Sequence, residues 1–147
     1  MNNLSDGKAR LQLWVLLLGN FIIGTGILLP AGLLNELSAD LSITAATGGQ
    51  LMLVGGIVVA IGAPLVAGLT SAIDRRTLLI FALGLYGAGH LIAAVVPGFT
   101  PLLILRAITV LGAAIYTPQA AATAGLLVPS SRRAGAIAFI FIGWSAA

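Results

Sequence analysis

The chain has 147 residues, of which 59% are hydrophobic and 7% charged, and its formal net charge is +3. Soluble domains carry about 25% charged residues, so a water-facing surface is excluded for most of the chain and its main partner is the lipid bilayer. Cysteine is absent, which rules out a disulfide framework, a thiolate nucleophile and a cysteine metal site.

The first ten residues, MNNLSDGKAR, are short and polar. The apolar run behind them is too long for a signal-peptide core and lacks a small-residue cleavage site, so it reads as a first spanning helix that is retained. Charges then divide the sequence. None occurs between Arg10 and Glu36, between Asp40 and Asp74, between Arg76 and Arg106, or between Arg106 and Arg132. A span needs about 20 mostly apolar residues. The intervals predict an all-α, polytopic bundle with spans over about 11–34, 48–70, 77–96 and 101–128, followed by a truncated fifth at 134–147. The turn signal PGFTP, Pro97 to Pro101, separates the third span from the fourth.

Polar groups inside lipid are costly and therefore mark candidate sites. The first span holds Asn20 and Thr25, with Gly24, Gly26 and Pro30 close by. The second holds Pro64 and the small residues Gly56, Gly62 and Gly68. The third holds His90, which reads as a hydrogen-bonded packing residue or as a proton relay; no second ligand stands near it, so no metal site is expected. The fourth holds Arg106, Thr117, Pro118 and Gln119, and a stripe of Ala113, Thr117, Ala121 and Gly125 that suits close helix packing. Arg106 has two readings. Its stem can snorkel to the outer surface, or its cation faces a central cavity and attracts an anionic group. No carboxylate lies within the spans, so its partner is substrate, a backbone carbonyl or a further segment of chain. Pro30, Pro64 and Pro118 each free a carbonyl one turn back and bend their helices, either as packing devices or along a substrate path.

The basic residues set an orientation. Lys8 and Arg10, Arg75 and Arg76, and Arg132 and Arg133 all fall on one side, whereas the other side has Glu36 and Asp40. The positive-inside rule puts the basic side, and the N-terminus, in the cytoplasm of a cell-membrane protein. Paired basic residues beside spans, without interleaved aromatics, do not read as a nucleic-acid surface. The last stretch, AGAIAFIFIGWSAA, is apolar to its end. As helix it reaches about 21 Å against about 30 Å of hydrocarbon, so the expectation is a piece of a longer protein whose remaining helices complete the bundle. Within it, Gly143-Trp144-Ser145-Ala146 matches a four-residue serine-protease pattern that would need His90 as its base. No zinc-protease motif, phosphate loop or dinucleotide fingerprint occurs, and no cofactor is implied.

The order of these pieces resembles the major facilitator superfamily, and within it the proton-linked drug and sugar efflux transporters. GTGILLPAGLLNELSADLSIT (Gly24 to Thr44) is similar to a family stretch at the first span, with Gly32, Leu33, Leu34, Asp40 and Leu41 in register. Gly49-Gln50-Leu51 and Gly62-Ala63-Pro64 follow as in the second span. Asp74-Arg75-Arg76 resembles the signature between spans two and three. Arg106, LGAA (Leu111 to Ala114) and TPQAAATAGLLVP (Thr117 to Pro129) resemble the fourth-span signature. The sequence departs from the family at Gly26 and Ile27, where many relatives have an acid, and at Ala72 and Val110. The resemblance implies two six-helix halves that move a small molecule by alternating access in exchange for protons, and no enzyme activity. It also implies that Arg106 couples protons, that Asn20, Thr25 and Gln119 line the cavity, and that Asp74, Arg75 and Arg76 form a cytoplasmic gate. The antiporter motif of the family would fall beyond Ala147, so this chain alone would be inactive. The other reading of the residues is a small four- or five-helix protein that oligomerises as a channel or accessory subunit.

Overall fold

The computed structural model describes residues 3–70 and 72–147. Among them there is no strand, and the helices are α1 (Asn3–Gly32), α2 (Leu34–Asp40), α3 (Ala45–Gly48), α4 (Gln50–Leu69), α5 (Arg75–Ala93), α6 (Phe99–Leu126) and α7 (Arg133–Ser145), with a 3₁₀ turn at Ser130–Arg132. Lipid offers no hydrogen bonds to an open backbone, and a helix satisfies its own. Four stretches are long and apolar enough to cross a membrane: Gly7–Gly32, Ala45–Leu69, Arg75–Ala93 and Phe99–Leu126. The outer surface is correspondingly apolar, with Leu69, Leu91 and Val95 more than three-quarters exposed.

The helix ends differ from the sequence reading for identifiable reasons. The segment carrying Glu36 and Asp40 reads as a loop but forms α2, because Leu34, Leu37 and Ser38 share one inward face at helical spacing while Asn35, Glu36 and Asp40 stay exposed. Ser42, at φ 52°, closes α2 through bonds from its own N–H to Ala39 O and from Ile43 N–H to Ser38 O. This is a Schellman closure with serine where glycine is usual, so nothing in the sequence marks it. The second span starts at Ala45 rather than 48 because Thr44 caps it, its hydroxyl accepting from Thr47 N–H at 3.1 Å. The fourth starts at Phe99 because Gly98, at φ 83°, makes the turn. Pro101 then sits in the first helical turn, where its missing N–H leaves no bond unmade.

Helix α6 is the axis of the bundle and touches α1, α4, α5 and α7. It buries Val110, Gly112, Ala113, Ala114, Ala120 and Ala124, small side chains that let neighbours approach closely. A Cβ on Gly112 would stand 2.6 Å from the Ala82 carbonyl of α5, and one on Gly89 of α5 would strike Thr109 of α6. Gly143 of α7 packs against the backbone of α1 at Leu17 and Phe21 in the same way. Of the small residues singled out in the second span, an added Cβ on Gly62 would sit 3.5 Å from Ala114 and Leu111, whereas one on Gly56 would meet nothing within 4 Å.

These contacts predict that Gly112→Ala and Gly143→Ala each destabilise the bundle by about 1–3 kcal/mol, the usual cost of overpacking. Gly84→Ala, where a Cβ would meet nothing within 4 Å, should be neutral or slightly stabilising. Equilibrium unfolding in mixed micelles measures all three.

Candidate functional site

The site begins with a covalent fact about α1. Pro30 lies inside this helix and has no N–H to give the carbonyl four residues back. That carbonyl belongs to Gly26. Arg106, reaching across from α6, donates from Nη1 to Gly26 O at 2.8 Å and from Nη2 to Ile27 O at 2.9 Å. Arg106 is only 7% exposed, so the snorkelling reading gives way to a buried cation with a fixed purchase on α1. The planar fork of the guanidinium suits two neighbouring acceptors. Its Nε has no hydrogen-bond partner among the described residues.

Small residues surround this contact. Gly26 has no side chain, and a Cβ there would lie 2.6 Å from Tyr86 Oη and 2.7 Å from His90 Nε2. Gly55 of α4 stands beside the guanidinium, where an added Cβ would sit 3.6 Å from Nη2. Tyr86 of α5 is buried and donates to Ile23 O at 2.8 Å. Tyr116 of α6 reaches Leu16 O at 3.4 Å. Three side chains from α5 and α6 therefore grasp carbonyls along one face of α1.

Two cavities flank this joint. One, of about 240 Å³, is walled by Leu29, Leu33, Leu37, Leu51 and Leu102, with Arg106, His90 and Thr109 as its polar groups. The other, of about 300 Å³, lies among Ile27 of α1, Val59 and Ala63 of α4, Ala114 and Thr117 of α6, and Trp144 of α7. Ile27 belongs to both features, lending its carbonyl to Arg106 and its side chain to the second cavity.

The remaining candidates are scattered. Asn20 is fully buried and ties α1 to α7, donating to Ile140 O at 3.1 Å. Thr25 is exposed, and its hydroxyl bonds back to Phe21 O at 2.8 Å. Gln119 is half-buried and its carbonyl accepts from Thr123 Oγ1 at 2.7 Å. None of these three lines either cavity. Pro30 lines the first and Pro118 the second, while Pro64 is exposed. All three prolines lie within continuous helices. Asp74, Arg75 and Arg76 are exposed at the basic end of the bundle. Asp74 caps α5 there, accepting from Thr77 N–H at 3.0 Å. Ser145 Oγ bonds Phe141 O, and His90 Nδ1 bonds Tyr86 O, so the protease pattern has no serine–histidine bond. Tyr86 and Tyr116 were not marked by charge or motif; the i,i+4 spacing of Tyr86 and His90 on one helix face is the signal that points to the first of them.

The Arg106 joint gives a direct test. Arg106→Met leaves a buried carbonyl unpaired and should destabilise the bundle by roughly 1–3 kcal/mol. Pro30→Ala restores a helical N–H to Gly26 O. In that background the cost of Arg106→Met should fall by on the order of 1 kcal/mol, read from a double-mutant cycle in mixed micelles.

Comparison with known proteins agrees with this geometry. The Major Facilitator Superfamily profile matches residues 16–147. The chain is 31% identical over 135 residues to an uncharacterized MFS-type transporter, YbcL, of Bacillus subtilis, covering 92% of the chain and 35% of that protein. It is 30% identical over 136 residues to the inner membrane transport protein YdhP of Escherichia coli K12, covering 92% of the chain and 35% of the relative. It is 31% identical over 137 residues to a chloramphenicol resistance protein of Streptomyces lividans, covering 93% and 35%. The chain thus spans about a third of the length of these relatives. No solved structure matches it. With a family match across nine-tenths of its length and an interior built around a buried arginine, the chain belongs to the major facilitator superfamily.

Proposed function

We propose that this chain is the N-terminal part of a secondary transporter that exports a small molecule in exchange for protons. The observation that carries the reading is the Arg106 joint: a buried cation holds α1 at a carbonyl that Pro30 leaves unpaired, beside a cavity bounded by α1, α4, α6 and α7. Spanning helices that meet through a few such bonds, rather than through broad apolar contact alone, can change partners between two packings. The likeness to a protein named for chloramphenicol resistance supports efflux of a small, largely apolar molecule. The walls of the second cavity, almost wholly apolar, suit such a cargo. In this reading the remaining spans supply the other wall of the path, and the 147-residue chain alone does not transport. Asp74, Arg75 and Arg76 act as the gate at the basic, cytoplasmic end.

The test is transport by the full-length protein in proteoliposomes under an imposed proton gradient, with chloramphenicol as the first probe. Arg106→Ala and Arg106→Lys should both lower gradient-driven flux at least about tenfold, since a single ammonium cannot reproduce the two-pronged contact. Normal flux in both variants would remove Arg106 from the mechanism. Orientation is tested separately. The chain has no cysteine, so Ser131→Cys and Thr100→Cys each introduce a single reporter thiol. Impermeant maleimide should label the second from outside the cell and the first only after the membrane is opened.

A further inference from the structure

The basic end of the bundle holds a third cavity, of about 670 Å³, between α1 and the start of α7. Its apolar lining comes from Leu13 of α1, Leu127 and Val128 where α6 ends, and Phe139 of α7. Its polar lining is Arg10, Ser131 and Arg132. The short connection from α6 to α7 returns the chain to the level of Arg10, so two arginines far apart in sequence share one cavity. Both are exposed, and among the described residues neither guanidinium has a hydrogen-bond or ion-pair partner. No described carboxylate lines the cavity. Two uncompensated cations in one place favour an anion between them.

The surroundings give that anion a hydrocarbon body. Trp14, one turn past Arg10 on α1, is 46% exposed and meets Phe139 edge-on, with ring centroids 5.0 Å apart. Tryptophan collects at the headgroup level, where one part of the ring is wet and the rest is apolar. Leu11 and Leu18 of α1 are exposed as well, so the apolar lining of the cavity continues onto the lipid-facing surface. A soluble anion would use the arginines and leave this apolar wall bare.

We propose that the cavity is a binding site for one anionic phospholipid, its phosphate held between Arg10 and Arg132 and its acyl chains laid over Leu13 and Phe139. Each guanidinium offers a fork of donors that matches phosphate oxygens. The Ser131 hydroxyl adds a donor, and the first turn of α7, which no side chain caps, favours the same sign of charge. A zwitterionic headgroup fits less well, because its ammonium would meet two cations and no acid. Basic pockets between spanning helices hold anionic headgroups in this manner. The bound lipid bridges α1 and α7 at their basic ends. The site stands on its own lining and is independent of the transporter reading.

Native mass spectrometry of the full-length protein, released from micelles with phosphatidylglycerol or phosphatidylcholine of the same chains, tests it. Phosphatidylglycerol should be retained preferentially. Arg10→Gln with Arg132→Gln should weaken that retention at least about tenfold, whereas Lys8→Gln with Arg133→Gln, which removes the same charge beside the cavity, should stay within about twofold. Gly135→Leu keeps both arginines but fills the cavity that Gly135 lines, and it should also weaken retention. Gly135 and both arginines are exposed, so these changes leave the core alone. Equal loss in the two charge pairs, equal retention of the two lipids, or full retention in Gly135→Leu would overturn the site. Inorganic phosphate that displaces the lipid at equal concentration would assign the cavity to a soluble anion and overturn the lipid. A photoreactive benzoylphenylalanine in place of Phe139 should form a lipid adduct in membranes. Crosslinking instead to another segment of the protein, or to a second copy, would show the cavity covered and overturn the proposal.

Discussion

A proline and an arginine on different helices resolve one another's difficulty. Pro30 leaves a carbonyl without a donor in a medium that supplies none, and Arg106 brings a cation into the same medium without a carboxylate to meet it. Each alone is a fault that costs stability. Together they make two charge-assisted bonds of 2.8 and 2.9 Å and fix where α6 crosses α1. Other features follow from that crossing. Gly55 lies beside the guanidinium, and Tyr86 and His90 fill the space that the missing Gly26 side chain leaves. The first cavity is the remainder.

Two kinds of contact hold the bundle, and they differ in kind. Helices α5 and α6, and likewise α1 and α7, meet at glycines that bring backbones nearly into touch. Such contacts are stiff, because no side chain can swing aside to relieve a shift. The bonds from Tyr86, Arg106 and Tyr116 to α1 are made by the ends of long, buried side chains. The bundle thus has backbone-to-backbone pairs joined by side-chain links.

Much of the architecture was legible because lipid imposes a simple code. Charge-free intervals between Arg10, Glu36, Asp40, Asp74, Arg76, Arg106 and Arg132 locate every span to within a few residues. The ends were less so. Thr44 and Gly98 extend two spans through cap geometry, and α2 is closed by Ser42 in a conformation that sequence does not announce. The site was legible by halves. The sequence marks Arg106 as costly and Pro30 as freeing a carbonyl, and allows a carbonyl as the partner. That these two needs meet at Gly26 depends on the depth at which α6 crosses α1, and no local pattern encodes depth. Asn20 and Thr25 illustrate the converse. Both are polar and intramembrane, but one is a fully buried tie between helices and the other bonds back to its own turn.

The bonds that Tyr86, Arg106 and Tyr116 make to α1 all end on main-chain oxygens, those of Leu16, Ile23, Gly26 and Ile27. Main-chain oxygens are the same whatever side chain a residue bears. Those bonds ask nothing of the side chain at Ile27, whereas Leu16 and Ile23 are held by burial in the core, Gly19, Gly26 and Pro30 by the space or the carbonyl they leave, and Asn20 by its own bond to α7. Helix α1 can change the side chain it turns to the second cavity at Ile27 without redrawing the framework that holds it. Such a helix separates fastening from lining along its own length.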